Sequence, residues 1–253
     1  MAAGEIAGAQ SVIEIAKLTT QDEFQQAVAL QQEIWGFVEI ELLPVRLFIV
    51  ANKIGGQSFG AFDGKRMAGF CLAIPGMKPG DKGYLHSHML GVLPEYSDRG
   101  LGRALKLAQR TDAVERRIDL IEWTFDPLEL KNAYFNMEKL GAFVRRYVPN
   151  QYGITTSVLH GGLPTDRCTA EWWIDSDRVH AAINGRPVSR PAIEATIEVP
   201  TSIADLRQSD PKRAREIQKA VGERFQKLFD MGLAVIGFER SEAAGSYLLG
   251  FWK

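Results

Sequence analysis

Three groups of residues in this 253-residue sequence have the type and spacing to do chemistry. The first is the run Val92-Leu93-Pro94-Glu95-Tyr96-Ser97-Asp98-Arg99-Gly100-Leu101-Gly102-Arg103-Ala104, where an apolar stretch passes through a glycine-bearing turn directly into a helical pattern. A helix start leaves its first N–H groups without intrachain partners and carries about half a positive charge, and glycine lets a diphosphate come close to the backbone. Arg99 and Arg103 would add charge-assisted contacts. The second group is His86 and His88, two residues apart in an apolar run, so that on a strand both project from one face. Neutral imidazole accepts a proton near neutral pH, although such a pair also serves as a satisfied polar patch. The third is Glu122, between Ile121 and Trp123. Burial there would raise its pKa and make it a base, unless it points to solvent or pairs with an arginine.

Other chemistries are disfavoured. No Gly-x-x-x-x-Gly-Lys-Ser/Thr stretch occurs, and Leu105 stands where a dinucleotide fingerprint needs its third glycine. Thirty basic and 31 acidic residues give a net charge of −1, which supplies no general field for nucleic acid. The two cysteines, Cys71 and Cys168, are too few and too far apart for a disulfide framework or a metal cluster, so no metal is expected. No apolar run approaches the roughly 18 residues of a membrane span, and residues 1–10 lack the pattern of a secretory signal. The expectation is a cytoplasmic protein without nucleic-acid or membrane partners.

The elements that must position these residues read as follows. Val12 to Ile15 is a short strand, Thr20 and Glu23 form a capping box for a first helix, and Pro44 opens a second that runs to Gly55-Gly56. Apolar runs from Ser58 to Phe62 and from Met67 to Ile74 bracket Asp63-Gly64-Lys65, a hairpin signal. After the turn-forming residues 79–83, Tyr84 to Val92 forms the next strand. Leu101, Ala104, Leu105 and Ala108 make the stripe of an amphipathic helix ending near Arg117. Leu120 to Phe125 is a strand, Glu129 to Leu140 a helix closed by Gly141, and Ala142 to Val148 a strand.

With that order of elements in place, the chain resembles the GNAT acyltransferase superfamily. Its acetyl-CoA signature is Gln/Arg-x-x-Gly-x-Gly/Ala after the fourth strand, commonly preceded by Val-x-Pro-x-Tyr, and Val92, Pro94, Tyr96, Gly100 and Gly102 fall on it. The resemblance implies an α+β fold with a central mixed, mostly antiparallel sheet flanked by helices. It implies acetyl-CoA, or another acyl-CoA, as co-substrate and an amine as acceptor, taken here to belong to a small molecule. Ser97, Asp98, Arg99, Gly100, Leu101, Gly102 and Arg103 would surround the phosphates. Leu90, Gly91 and Val92 would offer main-chain groups to the pantetheine arm, with Asn132 and Phe135 on its other side. His86 occupies the place where some members carry a glutamate base.

The sequence departs from the pattern twice. Ser97 stands in place of the Gln/Arg, and Met137 in place of the tyrosine that protonates the leaving thiolate; a thioether has no proton to give. Tyr134, one turn earlier, is the substitute acid, and a non-catalytic acyl-CoA-binding module is the alternative reading. Residues 1–11 are expected as a tail, 12–150 as the acyl-CoA-binding domain, and 151–253 as an extension of strands and one long helix on the same core. In that extension Asp210-Pro211 opens a helix whose Ala214, Ile217, Val221, Phe225 and Leu228 share a face, and Leu233 to Phe238 with Ser246 to Phe251 form a closing hairpin. Trp172 and Trp173 point opposite ways on a strand, so at least one belongs to the core and the other could line a pocket with Asp166 and Arg167. A homodimer is left open.

Overall fold

The Asp63-Gly64-Lys65 turn joins β2 (Gln57–Asp63) to β3 (Arg66–Lys78) in an antiparallel pair, as the Asp-Gly signal predicts. The structure, a computed structural model, describes residues 12–80, 82–153 and 162–252. The expected tail and Asp81, one of the turn-forming residues, lie outside the described residues. Around that hairpin the chain builds one ten-stranded sheet in the order β1-β2-β3-β4-β5-β7-β6-β9-β10-β8. Its further strands are β1 (Ile13–Lys17), β4 (Lys82–Val92), β5 (Leu120–Phe125), β6 (Phe143–Val148), β7 (Arg167–Trp173), β8 (Ala195–Pro200), β9 (Leu233–Arg240) and β10 (Ala244–Phe251).

Helix starts follow their capping chemistry. In α1 (Gln21–Trp35) Glu23 N donates to Thr20 Oγ1 while Thr20 N donates to the Glu23 carboxylate. Pro44 precedes α2 (Val45–Lys53), and in α7 (Pro211–Asp230) Asp210 accepts from Arg213 N. Along α7, Ala214, Val221, Phe225 and Leu228 are buried, with Ile217 partly so, which confirms the apolar stripe. Two short helices carry no stripe long enough to read: α5 (Asp177–Ile183) and α6 (Ile203–Ser209). None of the described helices is long and apolar enough to cross a membrane.

Two cores meet in the middle of the sheet. One gathers α1, α2, β1 to β3 and the start of α3 (Leu101–Glu115) around Phe24, Phe48, Phe70 and Leu105. The other gathers β5 to β10 with the later helices around Trp172, Phe225, Phe238 and Tyr247. Trp172 is wholly buried and donates to Leu140 O, whereas Trp173 is partly exposed. The strand containing them lies between β5 and β6, antiparallel to both. Residues beyond 150 therefore complete the sheet from within.

Candidate functional site

The seam between the two cores is the β4–β5 pair, the one parallel pairing in the sheet among the described strands. It lasts two rungs, Leu85 with Ile121 and His86 with Glu122. From Ser87 and Trp123 onward the strands part, leaving backbone groups without sheet partners on the facing edges. On its other side β4 pairs with β3, where Met89 faces Leu72 and Ser87 faces Ala73, so His88 is an extra residue in a bulge. A bulge re-aims side chains, and here it stands at the point where the strands separate.

A cavity of about 460 Å³ occupies the parting. Ser87, His88, Met89 and Leu90 line it from β4, and Trp123, Thr124 and Phe125 from β5. Trp35, Phe37 and Leu43 close one side; Tyr152 and Arg167 stand on another. The helix after β5 also contributes. Instead of one regular helix over Glu129 to Leu140, α4 (Leu130–Tyr134) widens into a π-helical turn, Phe135–Lys139, closed by Leu140 N donating to Phe135 O. That wide turn is common at functional sites, and Asn132, Phe135 and Asn136 line the cavity.

Below β4 the chain enters a short turn, Pro94–Tyr96, fixed by Tyr96 Oη donating to Asp63 at 2.7 Å. Asp98 and Gly100 then take left-handed backbone, φ 63 and 80, before α3 starts at Leu101. Gly100 caps α3 without any side-chain hydrogen bond, so the first N–H groups of the helix face outward unpaired by a cap. A Cβ on Gly100 would meet nothing within 4 Å, and one on Gly102 only Leu90 at 3.6 Å. This bare corner fits a diphosphate. Of the charged residues expected there, Arg99 stacks on the Tyr96 ring at 4.9 Å, and Asp98 pairs with Lys131 at 2.6 Å across to α4. Arg103 turns instead to the carbonyl of Ile183, the last residue of α5. Gly91 serves packing, since a Cβ there would lie 2.7 Å from Trp35.

The expected proton-transfer groups separate in space. His86 and His88 share a face, ring centroids 6.0 Å apart, but His88 reaches the cavity wall while His86 lies behind it. Burial, then the neighbouring His88, lowers the pKa of His86 to about 4; burial also lowers that of His88. Both rings are neutral near pH 7. Glu122 is buried, yet it is held by Lys78 Nζ at 2.5 Å and Arg146 Nη2 at 2.6 Å, which makes it an ion-pair anchor. Tyr134 is off the cavity wall, its ring under Arg240 at 4.2 Å. Met137 is fully buried in the second core.

A residue the sequence did not single out stands on the wall. Lys106 of α3 is 4% exposed, donates to Ser87 Oγ at 2.8 Å and lies 3.8 Å from the centre of the Trp123 ring. Burial lowers its pKa to about 7. At the far end of the cavity, Asp126 and Glu129 are tied to buried Arg207 at 2.7 and 2.5 Å. Burial raises the Glu129 pKa and lowers that of Arg167.

The sequence matches no family model and no curated protein. In structure the chain is similar to Arabidopsis thaliana NAA60 in complex with acetyl-CoA, at a TM-score of 0.53 and 14% identity over 65% of this chain and 100% of that one. It is similar to smu.2055 from Streptococcus mutans UA159, at 0.51 and 14% over 64% and 99%. It is also similar to a Desulfovibrio desulfuricans protein assigned to the GNAT acetyltransferase family, at 0.50 and 14% over 64% and 99%. The fold is that of the GNAT acetyltransferases, and the part of the chain outside it is about a third.

Proposed function

We propose that this protein is an acyl-CoA-dependent N-acyltransferase that uses acetyl-CoA and acylates an amine of a small molecule. The observation that carries the reading is the two-rung β4–β5 pairing, which opens onto a cavity beside the uncapped start of α3. Bound acyl-CoA supplies an activated acyl carbon with a thiol as leaving group. The α3 N–H groups from Leu101 onward hold the diphosphate, and the unpaired edge of β4 from Met89 to Val92 holds the pantetheine arm by main-chain hydrogen bonds.

Asn132 and Phe135 close the opposite side and exclude water. His88, neutral and on the wall, takes a proton from the attacking amine at a ring nitrogen. His86 and the Glu122 ion pair stand behind it and fix its strand. The acceptor enters at the part of the cavity lined by Asp126, Glu129 and Arg167, a polar stretch of wall in an otherwise largely apolar pocket. The cavity's volume supports a small acceptor.

Calorimetric titration with CoA and acetyl-CoA, followed by thiol release with a panel of small amines, tests the reading. Binding tighter than about 1 mM with turnover above background is expected. Absence of binding removes it, and tight binding with no turnover for any amine leaves an acyl-CoA-binding module.

A further inference from the structure

Lys106 has no place in the steps above, and its surroundings call for one. It is a lysine at 4% exposure whose ammonium, among the described residues, contacts a serine hydroxyl and an indole face. No salt bridge to it occurs among the described residues. Ser87 passes the contact on to Gln109 Oε1 at 3.0 Å, and Gln109 O accepts from Gln57. This chain of neutral groups fixes the amine without neutralising it. An unpaired buried ammonium costs several kcal/mol, so an anion must come to it in use or its proton must leave.

Its position selects the anion. Ser87 and Trp123 are the first residues past the last β4–β5 rung, so the ammonium lies at the apex of the wedge. Both His88 of β4 and Lys106 of α3 line the cavity that opens there. Resting on the acyl-CoA reading, we infer that Lys106 is the acid of the reaction and protonates the sulfur that leaves.

The step balances. The amine nitrogen bonds to the acyl carbon, the carbon–sulfur bond breaks with its electron pair going to sulfur, and sulfur takes one proton from the Lys106 ammonium. The proton that the amine loses passes to His88 and then, through solvent, restores Lys106. Near-neutral titration suits a group that must give up and regain a proton each cycle. The groups facing Lys106 do not supply a competing anion: Cys71 on β3 ionises only at about 12, His86 and His88 on β4 are neutral, and Asp126 and Glu129 across the cavity are held by Arg207. Asp112, farther along α3, is held by Lys17 and Arg116.

The test needs no acceptor. Free CoA is bound to the full chain, and the ultraviolet absorbance of its thiolate is followed from about pH 5 to 9, a range in which the thiol is ordinarily half ionised only near 8.5. The protein's own thiols are silent there, since burial raises both Cys71 and Cys168 above it. The bound thiol is expected to ionise about tenfold or more readily than in free CoA, and Lys106→Met to return it to the free value while CoA still binds within about threefold near pH 5, where the thiol is protonated in both proteins. Lys106→Gln, closer in shape and polarity, should behave as Lys106→Met does. An unchanged thiol in the parent, an unchanged shift in either variant, or acetylation of Lys106 itself on exposure to acetyl-CoA overturns the assignment while leaving the acyl-CoA reading standing. No CoA binding at all overturns both.

Discussion

His86 of β4 and Glu122 of β5 form the last rung at which these strands run together. One step further the strands separate, and the two side chains that follow, Ser87 and Trp123, both touch Lys106. The ion pairs of Glu122 with Lys78 and Arg146 pin the apex, so the wedge opens from a fixed point.

Glu122→Gln should therefore act on stability more than on proton transfer. The amide keeps one acceptor but leaves two cations facing a neutral group, at a cost of about 1–3 kcal/mol, reduced from that of a fully buried pair because Lys78 and Arg146 are partly exposed. A lower urea midpoint with turnover largely kept in the folded fraction is the expected result. A large drop in kcat at unchanged stability would make Glu122 the base instead.

His88→Ala should leave the urea midpoint nearly unchanged and lower kcat by roughly 10²–10⁴, the range of a lost general base. His86→Ala should lower it less, because His86 is off the wall. Burial depresses the His88 pKa, so its basic form persists below the ordinary histidine value and the acid limb of the rate profile should lie below about pH 6.5. An acid limb above that pH would exclude it.

Lys106 should also write itself into stability. Its folded pKa, about 7, lies below the roughly 10.4 of an unfolded lysine. Between those values the unfolded chain binds a proton that the folded chain does not, so stability rises with pH across that window and the penalty is complete below it. Lys106→Met should be more stable than the parent by a few kcal/mol near pH 6, with the gap narrowing as pH climbs toward about 10. Denaturant midpoints of the two proteins at matched pH give the difference; a gap independent of pH would mean that the lysine titrates normally.

Several elements of the fold, and the corner at the start of α3, could be read from sequence because they rest on local chemistry. Gly100 and Gly102 signal a bare helix start through their place between a strand and a helical stripe, Asp63-Gly64 signals a hairpin, and the stripe on α7 a core helix. Lys106 escaped because its burial has no local signal: its neighbours Leu105 and Leu107 are ordinary, and the slot that admits it exists only where two distant strands part. The choice between His86 and His88 turns on a bulge, which moves one residue against β3 and cannot be seen in an alternating pattern. Long-range pairing likewise hid the place of β7, whose sequence reads only as an apolar stretch; the structure buries Trp172 and leaves Trp173 partly exposed, as opposite faces of a strand require.

That placement makes the last prediction. Ending the chain after Gly153 would remove β7 from between β5 and β6, leaving both with open edges, and would strip Arg207 from Asp126 and Glu129. It would also expose Trp123, Phe125, Met137 and Val144, which pack in a core completed by Trp172, Phe225 and Tyr247. Each large side chain buried there contributes about 1.5–3 kcal/mol, and a stability of only about 5–15 kcal/mol cannot absorb the loss of several. The fragment should be insoluble or bind CoA too weakly to measure by calorimetry. Ending the chain after Trp173 restores β7 but not Arg207 or the α7 face, and should recover little; a soluble, CoA-binding fragment from either truncation would show that residues beyond the cut form a separate unit.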